Sequence, residues 1–455
     1  MADSASHAPW VIQSAHTLSP RQEYVMNQVF CHWFKVAWTW ERREGGDESL
    51  LTFQGVELGR WQNHPLVTTK VQPQDDLDIE WTAWQHGEVT MNVPCAMISE
   101  PTLWPFDPLA ATFHALTCWE EQAGRVDLDG HGRPCSFPDA WLTLAGHIRG
   151  LGQSISAAQQ PRWPWVDVMW HALAGQKLPP MPLTCDWTFD VDVAFKHKGR
   201  SRLKSLLLQM RDLGLGRWAL VQERFRVNRG WMQDPYDTYD WLLAHHQQEH
   251  LTFHVLAAAR NRPYDVGLDP EGTTLPQLVN ALAQRPQAVV RWHPGWVALE
   301  DPEVALAEQA RLKSWSGMRC DEVRTHFLRG CPGQLWRQWV SMGVAVDSSL
   351  GWAHDVGFRA GTSRDFNAFD LKDNKVLPLT LQPMVAMDEA MRGKLGWSAS
   401  EAKQHLTELL EMVVAVGGVW RMCWHNTSIS DTEAWAGWKS TYVGITRKAQ
   451  SKTVG

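Results

Sequence analysis

The chain has 455 residues, which is long for one domain and predicts two. Its 44% hydrophobic and 20% charged residues exclude wholesale disorder, and its net charge of −7 argues against binding of nucleic acid through the phosphate backbone. The sequence shows no secretory signal and no run of about 18 apolar residues, so we expect a cytoplasmic protein without a membrane span.

The first part of the chain mixes helix and strand signals. Ser19-Pro20-Arg21-Gln22 and Asp107-Pro108 have the capping residues and first-turn proline of helix starts. Short β-branched and aromatic runs predict strands at 36–40, 50–53 and 89–93. Proline clusters at 161–164 and 179–182 then interrupt regular structure. We therefore predict an α+β accessory domain over residues 1–183.

Residues 184–455 alternate between strand and helix patterns. Strands are predicted at 187–193, 251–256, 288–292, 344–346, 376–381 and 419–424. Helices are predicted at 203–213, 275–284, 302–313 and 401–416. Such alternation indicates an α/β fold with parallel strands joined by helices, as in a (β/α) barrel. We expect this part to fold without the first.

Polar residues mark the ends of the predicted strands, where barrel enzymes carry their chemistry. Asp190 and Asp192 lie two apart in an apolar strand, so their carboxylates face the same way. One could bind a metal while the other acts as a base, or both could form ion pairs with the basic residues of 196–200. Spacing alone does not separate these two interpretations.

Further candidates follow later strands. His293 and His425 each end a predicted strand, as a catalytic or a merely structural histidine would. Arg359 lies among small residues and could hold a carboxylate, or it could be an exposed turn residue. Asp388 could orient a histidine or cap a helix.

Three segments in this order resemble the polysaccharide deacetylase family, carbohydrate esterase family four. They are TFDVD at 188–192, FRAG at 358–361 and MCWH at 422–425. The layout, with Phe106-Asp107-Pro108 in the first part, resembles a bacterial subgroup with an extra N-terminal domain. The resemblance implies a distorted (β/α) barrel of the deacetylase type over residues 184–455.

The resemblance also implies roles for single residues. Asp190 corresponds to a catalytic base, Arg359 to the residue that orients it, and His425 to a general acid that Asp388 tunes. Asp192 and His293 correspond to ligands of a divalent metal, in most members zinc or a similar ion. The family hydrolyses N-acetyl groups on amino sugars, which implies an N-acetylated sugar or polysaccharide as substrate.

One feature departs from the family pattern. A second histidine normally follows the first by four residues, but here Val297 lies at that spacing from His293. Zinc sites generally have three protein ligands, so another donor must exist or the metal is lost. We consider three further donors for this position, namely His197, His254 and Asp240.

The sequence therefore predicts a metal-dependent hydrolase that removes an N-acetyl group from an amino sugar or polysaccharide intermediate. The alternative is a non-catalytic carbohydrate-binding or scaffold protein on a degenerate barrel, which the missing histidine favours. A hydrolase of a non-sugar amide is a third possibility, because a fold does not fix a substrate.

Overall fold

The computed structural model describes residues 10–75, 77, 79–86, 89–97, 103–135, 146–147, 154–155, 162–260 and 264–453. The described residues of the first part contain eight strands: β1 Trp10–Ser14, β2 Trp38–Arg42, β3 Glu48–Phe53, β4 Val56–Gln62, β5 Trp81–His86, β6 Val89–Pro94, β7 Gly146–His147 and β8 Ser154–Ile155. Its helices are α1 Pro20–Met26, α2 Pro65–Thr68, α3 Pro108–Leu116, α4 Trp119–Gln122 and α5 Trp165–Ala174.

These strands form a four-stranded sheet in the order β2-β1-β3-β4 and two hairpins, β5-β6 and β7-β8. Both predicted helix starts are present. The Ser19 side chain accepts from the Gln22 amide and the Gln22 side chain accepts from the Ser19 amide, which completes a capping box. Asp107 caps α3 by accepting from the amides of Leu109 and Ala110. The mixed α and β content of this part is confirmed.

The second part contains nine strands: β9 Leu183–Val191, β10 Leu251–Leu256, β11 Ala288–His293, β12 Glu322–Val323, β13 Val346–Asp347, β14 Phe366–Asp370, β15 Lys375–Leu381, β16 Ala386–Met387 and β17 Gly418–His425. Its helices are α6 Arg202–Gly214, α7 Trp218–Asn228, α8 Tyr239–His245, α9 Thr274–Ala283, α10 Pro302–Ser316, α11 Gln334–Ser341, α12 Ala399–Val416 and α13 Trp438–Thr453. Every strand and helix predicted for this part overlaps one of these elements.

The nine strands form one sheet in the order β14-β15-β13-β12-β11-β10-β9-β17-β16. All neighbours pair in parallel except β14 and β15. The predicted α/β fold with a large parallel sheet is therefore confirmed. Strand pairing within the described residues leaves β14 and β16 at the two ends of the sheet, so closure into a barrel stays a prediction.

The centre of the sheet is buried on both faces, as in a parallel sheet covered by helices. Phe189, Phe253 and Val255 on β9 and β10 have less than 1% of their surface exposed. Each such side chain contributes about 1.5–3 kcal/mol to folding. Residues of the first part belong to the same continuous apolar core.

Several buried polar contacts join the two parts of the chain. The Tyr24 hydroxyl donates to the Asn367 carbonyl oxygen at 2.7 Å, and Arg364 Nε donates to Asp167 Oδ1 at 3.2 Å. The boundary predicted after residue 183 falls at the first residue of β9, and two separately folding domains stay a prediction. No helix within the described ranges is both long and apolar enough to cross a bilayer.

Candidate active site

The candidate residues collect at the carboxyl edge of the central strands. In register, Asp190 on β9 pairs with His254 on β10 and with His425 on β17. β9 ends at Val191, so Asp192 lies just beyond the strand, and His293 is the last residue of β11. Parallel strands present their carboxyl ends at one edge, which explains why residues far apart in sequence meet here.

Asp192, His293 and His326 form a compact group of potential metal ligands. His293 Nε2 lies 3.0 Å from Asp192 Oδ1, and His326 Nε2 lies 3.4 Å from Asp192 Oδ2. One ligand atom from each residue lies within 4.8 Å of the others. Two imidazoles and one carboxylate are donors that zinc and related ions accept.

The hydrogen bonds around this group favour a bound cation. His293 Nδ1 donates to the Arg324 carbonyl oxygen at 2.5 Å, and His326 Nδ1 is 2.9 Å from Asp265 Oδ1. Both oxygens are acceptors, so each Nδ1 carries the proton and each Nε2 is directed at the centre of the group. Asp192 Oδ1 is buried and has no hydrogen-bond partner in the described part of the chain. The residues present therefore fit a metal.

Electrostatics point the same way. Burial alone would lower the pKa of His326, but the carboxylates of Asp192 and Asp265 outweigh it and raise that pKa to about 9. Burial opposes ionisation of Asp192, yet His326, His293 and His425 hold its pKa well below the usual range. The carboxylates of the site thus concentrate negative charge. Without a bound cation, a protonated His326 neutralises part of that charge.

His326 takes the place of the histidine missing from the sequence pattern. His326 lies just after β12, the strand that pairs with β11, and not four residues after His293. The donors predicted from sequence have other partners. His197 lies 2.7 Å from Glu223, His254 lies 3.6 Å from both Asp190 and Glu322, and the exposed Asp240 pairs with Arg285. The group of ligand atoms includes none of those three donors.

A sequence signal for His326 existed in the spacing of the predicted elements. Residues 314–343 lie between a predicted helix and a predicted strand, and connections of that length without structure are uncommon in compact domains. The structure fills this gap with β12 and α11. A strand of two residues, Glu322 and Val323, has no alternating pattern to detect.

The backbone beside His326 is strained. Phe327 and Leu328 have φ values of 64° and 54°, a conformation that side chains other than glycine rarely adopt. Each such residue costs about 1–3 kcal/mol and persists where the surroundings enforce it. Arg133 of the first part donates to the Phe327 carbonyl oxygen at 3.1 Å, and His131 stacks on the Phe327 ring. The first part of the chain thus helps to hold His326 in place.

Asp190 is buried beside the ligand group and paired with Arg324. Arg324 Nη1 donates to Asp190 Oδ1 at 2.9 Å, and the Cys423 thiol donates to Oδ2 at 3.1 Å. Burial opposes the charge of Asp190, but Arg324 outweighs it and lowers the pKa to about 2. Burial and nearby carboxylates raise the pKa of the Cys423 thiol, which therefore remains a hydrogen-bond donor here.

Arg359 holds a carboxylate by bidentate contact, one of the two possibilities that its sequence left open, but that carboxylate is not Asp190. Its guanidinium forms a two-pronged ion pair with Glu121 of the first part and also donates to the Gly351 carbonyl oxygen. Arg324, which directly follows β12, occupies the position beside Asp190 that the resemblance implied for Arg359. The physical reason is a countercharge: Glu121 is buried with Arg359 and neutralises it.

His425 and Asp388 are in contact. His425 Nδ1 lies 2.6 Å from Asp388 Oδ1, and the His425 amide donates to Oδ2 at 2.7 Å. Ser428 donates its hydroxyl proton to the same carboxylate. Burial opposes protonation of His425, but Asp388 and Asp192 raise its pKa well above the usual value. His425 Nε2 is 3.5 Å from Asp192 Oδ2, so it faces the ligand group.

A family of unknown function, DUF7033, matches residues 11–138 of the chain. No curated protein matches the sequence of this chain. A "putative polysaccharide deacetylase" from Mycobacterium smegmatis has a TM-score of 0.39 and 13% identity, with 59% of this chain and 84% of that chain covered. The PuuE allantoinase has a TM-score of 0.39 and 11% identity, with 60% and 88% covered.

A third solved structure, a "probable polysaccharide deacetylase" from Pseudomonas aeruginosa PAO1, has a TM-score of 0.38 and 12% identity, with 61% of this chain and 90% of that chain covered. The family match ends at residue 138, whereas the ligand group and its neighbours Asp190, Asp388 and His425 lie beyond residue 183. The family match therefore does not describe the candidate site.

Proposed function

We propose that the protein is a metal-dependent hydrolase that removes an N-acetyl group from an amino sugar or a polysaccharide intermediate. The observation that carries the proposal is the group formed by Asp192, His293 and His326, with both Nδ1 atoms directed at oxygen acceptors. A divalent ion such as zinc, held by these three residues, supplies a Lewis acid for amide hydrolysis at neutral pH.

Asp190 accepts a proton in this proposal. Arg324 keeps its carboxylate ionised at neutral pH, and Asp190 Oδ2 lies 3.9 Å from His293 Nε2, so the acceptor adjoins the ligand group. Pairing with Arg324 lowers basicity as well as fixing position. Asp190 is therefore suited to accepting a proton from an attacking water that lies beside the ligand group.

His425 donates a proton in this proposal. The Asp388 carboxylate keeps its imidazole protonated near neutral pH and fixes the ring through Nδ1. Nε2 then faces the ligand group and can protonate the departing amine nitrogen. Acceptor and donor thus lie on adjacent strands, β9 and β17, where Asp190 and His425 pair in register.

The saccharide part of the proposal depends on the ordered resemblance of residues 188–192, 358–361 and 422–425 to the deacetylase pattern. The non-catalytic alternative was favoured by the missing histidine, and His326 supplies a donor in its place. The site therefore supports the hydrolase better than the non-catalytic alternative.

The test combines metal analysis with acetate release from N-acetylglucosamine oligomers and from a non-sugar acetamide. We expect stoichiometric divalent metal in the purified protein and acetate from the oligomers. Asp192→Ala should lose metal and activity together, whereas Asp190→Asn should lose activity and keep metal. His197→Gln, a buried histidine outside the ligand group, is the matched control.

Equal metal loss in the Asp190 and Asp192 variants would contradict the division of roles. Acetate from the non-sugar amide alone would contradict the substrate class. A metal-free protein that binds the oligomers without releasing acetate would establish the non-catalytic alternative.

A further inference from the structure

Helices α6 and α7 form a hairpin whose apolar side chains face outward. Nine of the fourteen large hydrophobic residues that are exposed in the described chain lie between residues 203 and 232. Leu203, Trp218 and Trp231 have 68%, 63% and 71% of their surface exposed. The other six are Leu206, Leu207, Met210, Leu215, Phe225 and Met232. Exposed apolar patches of this kind mark interaction surfaces.

Two of the three buried residues of α6 and α7 are charged. Asp212 and Arg224 are paired at 2.7 Å between Oδ2 and Nη2, and the third buried residue is Val227. On the exposed side, Asn228 Nδ2 donates to Ser205 Oγ at 3.1 Å. Neither helix packs extensively on another element of the described structure. The two helices are therefore joined by an ion pair and hydrogen bonds, and their apolar face has no partner among the residues that the structure describes.

The apolar face lies among basic residues. Residues 202–229 contain seven arginines and lysines against two acidic residues, a net charge of +5 in a chain whose total is −7. Among the described residues, Arg202, Lys204, Arg226 and Arg229 have no carboxylate within ion-pair distance. Their positive charge is thus available to an external anionic surface.

We propose that the α6–α7 hairpin binds the surface of an anionic lipid bilayer. Leu, Met and Trp side chains beside Arg and Lys are the combination found in helices that lie in the interfacial region of membranes. The apolar side chains would enter the boundary between headgroups and acyl chains, and the basic side chains would contact anionic headgroups. Neither helix spans the bilayer.

Charge argues against self-association as the use of this face. In a symmetric dimer each hairpin would meet its own copy, which places two surfaces of net charge +5 against each other. Protein interfaces also exclude charged residues from their apolar centre. An anionic bilayer satisfies both the basic and the apolar side chains.

The base of the hairpin is fixed to the edge of the sheet that carries the candidate site. Asp234 accepts from the amides of Lys196, His197 and Lys198, which lie between β9 and α6. Glu223 on α7 pairs with Lys196 at 2.8 Å. The hairpin is thus a rigidly attached projection, and a bilayer bound to it lies on the side of the molecule to which Asp192 belongs.

The test is cosedimentation of the full chain with vesicles of phosphatidylglycerol and phosphatidylcholine, or of phosphatidylcholine alone. We expect binding to the anionic vesicles that weakens in high salt. Leu206→Ser, Leu207→Ser, Met210→Ser and Trp218→Ser combined should lower partitioning by about 100-fold. Arg202→Gln with Arg226→Gln should lower it by about 30-fold, since each basic residue contributes about fivefold.

The matched control is Leu128→Ser with Leu306→Ser, which are 58% and 51% exposed and lie outside the hairpin. This control should bind vesicles as the unmodified chain does. Failure of the unmodified chain to bind anionic vesicles, or full binding by the four-serine variant, would overturn the proposal. The proposal would also be overturned if the unmodified chain is a dimer in gel filtration that does not bind vesicles, and if the four-serine variant is a monomer. Asp192→Ala should bind vesicles normally, which separates this result from that of the proposed reaction.

Discussion

The sharpest consequence of the site geometry concerns His326, which the sequence pattern did not indicate as a ligand. His326→Ala removes one of three protein donors. Structural zinc sites with four protein ligands bind with about 10–16 kcal/mol, so one ligand accounts for about 3 kcal/mol. We therefore expect His326→Ala to weaken zinc binding by about 100-fold, since 1.4 kcal/mol corresponds to a factor of ten.

The pH dependence gives a second signature of the same variant. Asp192 and Asp265 raise the pKa of His326 to about 9, so zinc must displace a proton from this histidine below that pH. Release of this one proton makes the zinc affinity rise by up to tenfold per pH unit, until the pH passes about 9. The rise attributable to His326 should disappear in the alanine variant.

Both effects can be measured by competition of the metal-free protein with a chromogenic zinc chelator between pH 6 and 9, with circular dichroism as a check on folding. His197→Gln is the control, because His197 pairs with Glu223 and lies outside the ligand group. Unchanged zinc affinity in His326→Ala, or an equal loss in His197→Gln, would refute the assignment of the third ligand.

Three further predictions follow from buried charges. Arg359→Met should lower the free energy of unfolding, measured by urea denaturation, by about 3–5 kcal/mol, because the largely buried Glu121 loses its countercharge. Adding Glu121→Met to the same chain should restore most of that free energy. Burial raises the pKa of Glu308 to about 7, so the free energy of unfolding should fall by about 3 kcal/mol as the pH rises from about 4.5 to 7. Glu308→Gln should abolish that fall, which thermal melts at pH 5 and pH 8 would measure. Asp388→Asn should lower the pKa of His425 in the metal-free protein, and an unchanged value by NMR titration would contradict the proposed pairing.

The sequence was informative where a residue type and a strand end coincided. Asp190, Asp192, His293 and His425 were found because long apolar strands end in polar residues, and parallel strands bring those ends together. The structure places all four in one cluster. Asp388 could be anticipated as a partner of a histidine, because it too follows a strand of the same sheet.

Long-range contacts escaped the sequence for physical reasons. Arg359 has a long side chain whose direction depends on where a countercharge lies, and Glu121 is 238 positions away in the chain. The α6 pattern of Leu203, Leu206 and Leu207 predicts one apolar face, and the same pattern fits a buried or an exposed helix. The structure shows the apolar face of α6 exposed, because the buried residues of the two helices are Asp212, Arg224 and Val227.

The same long-range charges bear on whether residues 184–455 fold without the first part, as their strand and helix alternation suggests. Arg359 and Arg364 are buried, and their carboxylate partners, Glu121 and Asp167, both come from the first part. Deleting the first part also uncovers apolar side chains of the second, such as Phe369, which packs on Tyr24 and Phe113. Each buried apolar side chain that becomes exposed costs about 1.5–3 kcal/mol, so a few of them consume much of the roughly 5–15 kcal/mol by which a domain is stable. We therefore revise the expectation that residues 184–455 fold alone, and we expect the isolated segment to lack a cooperative thermal transition by circular dichroism. A cooperative melt of the unmodified segment would refute the dependence.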